Sequence, residues 1–417
     1  MKYLFAAFLC IFMLSGCSQF TGKNTVVFWH AMSDPKDKTL KALIKDFEAK
    51  HPGVKIRAEY VGNYDILNQK LLAAAGSGNP PDISQVYENW TTRFKDAGVI
   101  IPIADLMKAD TALSGDDLND LFPIFVRNNS YDKVLWTFPF NKSIYVMYYN
   151  TTIFKKAGLN PPYNMEEFRS VARSLTKKDS EGKTIRYGFG FRINIDVFAV
   201  LFYLNKGKFF DEKETKALFN DTAGVEALQL LCDMHKDGTA FVTKEYLDND
   251  FAAGRVASFF ATTPRLAEMQ ELLTFKIGVA PLPGWRTQTA PIAGTNLAVF
   301  KKDSMTPEKQ KLCWSFIKYI SSAEGTSKWA AGTNYLPVRR SARETAVFRK
   351  YINENPLVMV GVRQLDRAVT DPRNKNWQAV RDKIGSAVEK ALLEKATPKE
   401  ALDEAASEVN LLLEKNK

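Results

Sequence analysis

Between residues 25 and 87 the chain switches repeatedly between a strand pattern and a helix pattern. This alternation limits the fold more than any other feature. Thr25-Val26-Val27-Phe28 is a β-branched and aromatic run ending at Trp29-His30. Residues 38–50 then carry Leu40, Leu43, Ile44 and Phe47 at helical spacing, and Pro52-Gly53 stops them. Residues 54–60 alternate strictly, which predicts a strand with one better-buried face. Residues 65–75 predict a second helix, ended by Gly76-Ser77-Gly78-Asn79-Pro80-Pro81, and residues 83–87 a third strand. The order β-α-β-α-β predicts an α/β fold with a parallel, helix-covered sheet. Ligands of such sheets bind outside the carboxyl ends of the strands. Trp29-His30, Gly62-Asn63-Tyr64 and Glu88 all fall on that rim.

At 417 residues the chain is too long for one ordinary core, so two domains are expected. A second αβ series supports this. It has helices over 165–176, 197–204, 221–234 and 265–273, and strands over 186–191, 257–261 and 275–279. Residues 243–253 are expected to be helical. Between the two series lies Phe138-Pro139-Phe140-Asn141-Lys142-Ser143, an extended polar crossover that runs into the aromatic stretch to Asn150. Ile292-Ala293-Gly294-Thr295 and Asn334-Tyr335-Leu336-Pro337-Val338 look like two further crossings. Two C-terminal helices close the chain, the last capped by Thr397-Pro398.

The N-terminus reads as a targeting segment. Lys2 precedes an apolar run over 3–14 that is too short to span a membrane as a mature helix. Leu14-Ser15-Gly16-Cys17 matches a bacterial lipobox. A signal peptide over 1–16, lipid on Cys17 and a polar tether over 17–24 are therefore expected; the plainer alternative is a secretion signal that contains a cysteine. No later run reaches the roughly 18 apolar residues of a membrane helix. Cys232 and Cys313 sit in apolar helical patterns and are expected to be buried thiols, although a disulfide stays open. The formal charge is +10. It is spread over Lys on helix faces, which suits a solvated basic surface, an anionic ligand or an anionic membrane surface. No basic-aromatic motif for nucleic acid is present.

Enzyme motifs are missing from the sequence. The three His (His30, His51, His235) form no His-Glu-x-x-His pair, Gly188-Phe189-Gly190 lacks the third glycine of a dinucleotide loop, and there is neither a P-loop nor a Gly-x-Ser-x-Gly elbow. No catalytic residue, metal or cofactor is expected.

The ordered set of motifs resembles the extracellular solute-binding proteins of ABC importers, the maltose-binding-like group, and most closely its glycerol-3-phosphate-binding branch. The set is Phe28-Trp29-His30-Ala31-Met32, Gly62-Asn63-Tyr64, Gln85-Val86-Tyr87-Glu88, Pro139-Phe140-Asn141-Lys142-Ser143, Tyr148-Tyr149-Asn150, Phe154-Lys155-Lys156-Ala157-Gly158-Leu159 and Thr333-Asn334-Tyr335-Leu336-Pro337. The resemblance implies a two-lobed periplasmic binding protein-like II fold, with mixed parallel sheets covered by helices and a three-crossing hinge. One lobe would hold residues 25–137 and 292–334, the other 138–291 and 335–417. It also implies a non-catalytic, monomeric receptor outside the cytoplasm, lipid-anchored at the periplasm or cell surface. Its partners would be a small solute, two permease subunits and a separate ATPase.

Carried over residue by residue, the resemblance implies a ligand site of Tyr64, Glu88, Ser143, Thr263, Gly294, Tyr335 and Arg373, with His30 and Arg192 as further candidates. The chemistry of a polyol phosphate suits these types. Glu88 can accept from hydroxyls, the Tyr and Ser hydroxyls can donate, and Arg presents a planar fork to phosphate. Lys142 offers a second positive charge beside Ser143. Phe189-Gly190-Phe191-Arg192-Ile193-Asn194 departs from the branch, whose members carry a tryptophan-rich segment there. Plainer roles stand beside these: Glu88 as a helix cap, Tyr64 as a packing residue, Ser143 and Gly294 as hinge geometry, Arg373 in a surface ion pair, and His30, Trp29 and Trp90 in lobe packing. A neutral sugar or oligosaccharide is the alternative ligand.

Overall fold

The computed structural model describes residues 22, 24–110, 117–270 and 272–415. The expected leader over 1–16, the lipidation site Cys17 and most of the tether lie outside the described residues.

The first strand, β1 (Thr25–His30), pairs in parallel with β2 (Lys55–Tyr60) and with β3 (Ile83–Val86). Helix α1 (Lys36–Lys50) covers this sheet with Leu40, Leu43, Ile44 and Phe47, the apolar stripe of its sequence. Helix α2 (Tyr64–Gly76) starts where Asn63 Oδ1 accepts from the Ile66 amide at 3.0 Å. Helix α3 (Glu88–Asp96) leaves directly from the end of β3. Asn296–Phe300 joins the same sheet antiparallel to β3, and Phe138–Pro139 pairs with it in turn.

A second sheet is built around Ser143–Asn150. That strand pairs antiparallel with Ser258–Thr262, Ile277–Ala280 and Ala290–Ala293. Phe189–Arg192 and Ala240–Thr243 extend the sheet in parallel. The architecture is thus two helix-covered lobes. The chain crosses between them over residues 140–142 and again over Gly294 and Thr295. At the third crossing the Leu336 amide donates to the Lys142 carbonyl at 2.7 Å.

Side chains tie these crossings together. Asn141 Oδ1 accepts from Gln85 Nε2 at 3.0 Å and from the Thr295 hydroxyl at 2.5 Å, and Gln85 Nε2 also donates to Thr295 Oγ1 at 2.9 Å. Gly294 has φ +90°, and a Cβ there would lie 1.8 Å from the Asn141 carbonyl oxygen. Only glycine allows the two crossings to approach this closely.

One expectation changes. Residues 243–253 are not one helix: Ala240–Thr243 is a strand in register with Phe189–Arg192, and the helix is confined to Asp248–Ala252. Sheet pairing overrides the local pattern, and Thr243 Oγ1 accepts from the Glu245 amide at 3.1 Å to start the turn between them. Trp377–Leu392 and Pro398–Glu414 close the chain as expected, the last capped by Thr397, and Ala323–Thr333, Ala346–Glu354 and Val358–Gln364 precede them. Cys232 is half-buried, Cys313 is buried, and both are free thiols. Burial pushes the Cys232 thiol up to about 12 and raises that of Cys313 further. Among the described residues no helix is long and apolar enough to cross a membrane.

Candidate functional site

A cavity of about 570 Å³ lies between the lobes and takes its lining from both. On the first lobe its wall is made at the ends of the strands. Glu88 follows β3 and opens α3, so its carboxylate stands at the rim. Its Oε1 accepts from Lys142 Nζ at 3.1 Å and Asn296 Nδ2 at 3.1 Å. Lys142 is fully buried, and its ammonium also donates to the Gly294 carbonyl at 3.2 Å. Burial lowers the Lys142 pKa and the Glu88 carboxylate works against that shift. Lys142 therefore braces Glu88 from behind instead of offering a free positive charge to a ligand.

Beside Glu88, the Tyr64 hydroxyl accepts from Asn141 Nδ2 at 3.0 Å, and burial raises its pKa well above that of a free phenol. Tyr64, Tyr87 and Trp90 form an edge-to-face series with centroids 5.1 Å apart at each step. Tyr335 stacks on Trp329 at 5.8 Å, and Trp329 on Phe140 at 4.8 Å. Three aromatic rings thus fix the third crossing against the first. Ser143 and Gly294 complete this side of the lining.

The second lobe supplies charge. Asp196 lies in the first turn of Ile195–Leu204, which Asn194 caps. Arg381 bridges Asp196 at 2.6 Å and Asp371 at 3.3 Å, and burial pushes the Asp371 carboxyl up against the pull of Arg381. Nearer the mouth, Arg192 and Arg265 both lie over the Tyr246 ring, at 4.1 and 4.3 Å from its centroid. Arg265 pairs with Asp248 at 3.2 Å and with Glu268 at 2.5 Å. Lys36 of the first lobe reaches Glu268 at 2.5 Å, so an ion pair spans the mouth. Of the lining cations Lys36, Arg192, Arg265 and Arg381, Arg192 alone has no carboxylate in ion-pair range among the described residues, and its Nε is buried without a partner.

The structure brings Tyr64, Glu88, Ser143, Gly294, Tyr335 and Arg192 into one lining. Three expected residues fall outside it. Thr263 packs under Gly361, where an added Cβ would lie 2.6 Å from its methyl, and Thr262 and Pro264 face the cavity instead. Arg373 donates to the Ser130 carbonyl at 2.5 Å and to that of Arg127, and lies over the Tyr131 ring at 4.6 Å. His30 is buried behind the sheet, where its Nδ1 accepts from the Met32 amide at 3.2 Å. Burial holds the His30 pKa down to about 4. The sequence reading missed Arg381, Tyr246 and Asn128. No motif marks them, because they join the site from separate segments.

Residues 33–327 match the family described as bacterial extracellular solute-binding protein. The sn-glycerol-3-phosphate-binding periplasmic protein UgpB of Pectobacterium atrosepticum is 31% identical over 409 residues, covering 93% of this chain and 91% of that protein. UgpB from Mycobacterium tuberculosis, solved in complex with glycerophosphocholine, superposes with a TM-score of 0.81 at 24% identity, covering 95% of this chain and 100% of that one. The sugar-binding protein MalE from Xanthomonas citri superposes with a TM-score of 0.82 at 20% identity, over 94% of this chain and 98% of that one. Two lobes, three crossings and a polar cleft between them agree with these likenesses, and the chain belongs to the bacterial extracellular solute-binding proteins, the solute receptors of ABC importers.

Proposed function

We propose that this receptor captures glycerol-3-phosphate, or a related glycerophosphodiester, between its lobes and delivers it to a permease driven by a separate ATPase. The observation that carries the reading is Arg192, a cavity cation with no carboxylate in ion-pair range among the described residues and a buried, unpartnered Nε. A phosphate is the ligand group that a guanidinium without an ion-pair partner fits best. Glu88 supports the polyol end: its Oε1 is held by two donors while Oε2 takes none among the described residues, leaving an acceptor for ligand hydroxyls. The similarity to proteins named for glycerol-3-phosphate binding points the same way. Hydrogen bonds to charged groups are worth roughly 1.5–3 kcal/mol each, so a few of them reach micromolar affinity after ordering costs.

Isothermal titration with glycerol-3-phosphate, glycerophosphocholine, maltose and trehalose tests this. Phosphorylated ligands bind the wild type, and Arg192→Ala weakens them roughly tenfold to a hundredfold. Equal binding of a neutral sugar, unaffected by Arg192→Ala, overturns the reading. A neutral sugar is the second reading. It is favoured by the lining carboxylates of Asp65, Glu88, Asp196, Asp248, Glu268 and Asp371, which outnumber the cations and can accept from sugar hydroxyls.

The capture step is closure of the lobes about the three crossings, since a ligand that touches both walls favours the shut form. Small-angle scattering should show a smaller radius of gyration with ligand; an unchanged radius sinks this step. The receptor is held at the membrane by lipid on Cys17, so Cys17→Ala should move it to the soluble fraction.

A further inference from the structure

Among the described cavity-lining residues, two have buried side-chain polar atoms with no partner: Arg192 on the second lobe and Asn128 on the first. Asn128 lies in the helix Pro123–Asn129, is 1% exposed, and has both its Oδ1 and its Nδ2 unpaired. The next residue shows the contrast. Asn129 is fully buried too, but its Nδ2 donates to the Phe125 carbonyl at 2.8 Å and its Oδ1 accepts from the Thr137 hydroxyl at 2.6 Å. One asparagine serves the fold; the other has no partner among the described residues.

A side chain from the other lobe brackets Asn128. Arg373 of the second lobe donates to the carbonyls of Arg127 and Ser130, on either side of Asn128. Three residues further on, the Tyr131 hydroxyl donates to the Glu88 carbonyl at 2.7 Å, which ties this helix end to the Glu88 corner of the cavity. An amide shut in without partners costs free energy that a ligand group can recover.

We propose that Asn128 is a ligand-binding residue that pairs with a hydroxyl of the solute. The solute would then lie across the cleft with its hydroxylated end at Asn128 and its phosphate at Arg192. This rests on the phosphate reading given above and adds an orientation to it. A hydroxyl both donates and accepts, so it satisfies the amide's acceptor and donor together. A phosphate only accepts and a quaternary ammonium does neither, so neither satisfies both. The cavity, at about 570 Å³, takes its lining from both lobes and has room for a ligand that spans it.

The test compares glycerol-3-phosphate with n-propyl phosphate, its analogue without hydroxyls, on the wild type and on Asn128→Leu, an apolar replacement of similar shape. Titration should show the wild type preferring glycerol-3-phosphate, and that preference should shrink about tenfold in Asn128→Leu. The ligand-free Tm of Asn128→Leu should equal or exceed that of the wild type, because no protein partner is lost. An undiminished preference overturns the proposal, and so does a ligand-free Tm that falls by several degrees or a variant that fails to fold. A wild type that binds neither phosphate refutes the phosphate reading and this orientation with it. A wild type that binds both, with an intact preference in Asn128→Leu, refutes the role of Asn128 alone.

Discussion

The two walls of the cavity are built differently. Around Glu88 the first-lobe wall is a buried network: Glu88, Lys142, Asn296 and Gly294 hold one another through contacts at 3.1–3.2 Å. The second-lobe wall carries ion pairs at the ends of long side chains, with Arg265, Arg381 and their carboxylates partly exposed, and Arg192 without an ion-pair partner among the described residues. Substitutions in the network should cost folding stability, because a buried partner is left unpaired. Substitutions among the exposed pairs should cost affinity, because water replaces what is removed.

Lys142→Met should show the largest effect. It removes a fully buried ammonium and leaves the Glu88 carboxylate without its counter-charge. Breaking a buried pair from one side costs about 3–5 kcal/mol, read as a lower urea midpoint. Adding Glu88→Gln to that variant should restore part of the loss. A Lys142→Met protein as stable as the wild type but unable to bind would break the comparison and return Lys142 to a ligand role.

Gly294→Ala should follow. Its φ of +90° and the Asn141 carbonyl 1.8 Å from the new Cβ require both crossings to move. Strain of this kind costs about 2–3 kcal/mol. The same substitution at Gly53, where a Cβ would meet nothing within 4 Å, should cost less despite a φ of +83°. Comparing the two by thermal melts separates the crowding at the hinge from the cost of positive φ alone.

His30 gives the first lobe a pH signature. Its folded pKa is held at about 4, mainly by burial, against an ordinary value of 6.5. The unfolded chain therefore takes up this proton first as pH falls. The contribution of His30 is complete above about pH 6.5 and is lost as pH drops toward 4, with a loss on the order of 3 kcal/mol. His30→Gln should flatten that part of the stability profile measured by denaturant titration. An unchanged profile would mean that other groups dominate it.

The contrast between the walls also explains what could be read from the sequence. Tyr64 and Glu88 each open the helix that follows a strand, so alternation and helix starts locate them without tertiary information. Ser143, Gly294 and Tyr335 sit on the crossings, which Pro139, Gly294 and Leu336-Pro337 punctuate. The second wall offers no such local rule. Arg192, Tyr246, Arg265 and Arg381 converge from a strand end, a turn and two helices. Only the packing of Trp377–Leu392 against Ile195–Leu204 brings Arg381 to Asp196. Thr263 fell outside the lining by one residue, because the wall at that strand end is formed by Thr262 and Pro264. The expected helix over 243–253 failed for a related reason: pairing with Phe189–Arg192 takes Thr243 into the sheet. Lys142 was located correctly on the crossing, but no sequence pattern says whether a lysine points at a ligand or at its own Glu88.

Arg373 gives the smallest expected effect and the finest test of the contrast. Its guanidinium touches backbone carbonyls of Ser130 and Arg127, and its own carbonyl accepts from the Thr92 hydroxyl at 2.6 Å, while Arg93 donates to the Lys375 carbonyl at 2.8 Å. All of these contacts join residues of one lobe to a segment of the other, so they exist only when the lobes are together. Removing the side chain should raise the free energy of closure by about 1 kcal/mol and leave each open lobe intact. A shift in closure is shared by every ligand that binds the closed form. Arg373→Ala should therefore weaken a phosphorylated and a neutral ligand by the same factor, roughly threefold to tenfold, whereas Arg192→Ala weakens the phosphorylated one selectively. Titration of both variants with the same ligand pair separates the two arginines. A loss confined to the phosphorylated ligand in Arg373→Ala would move that residue from the clasp into the binding site.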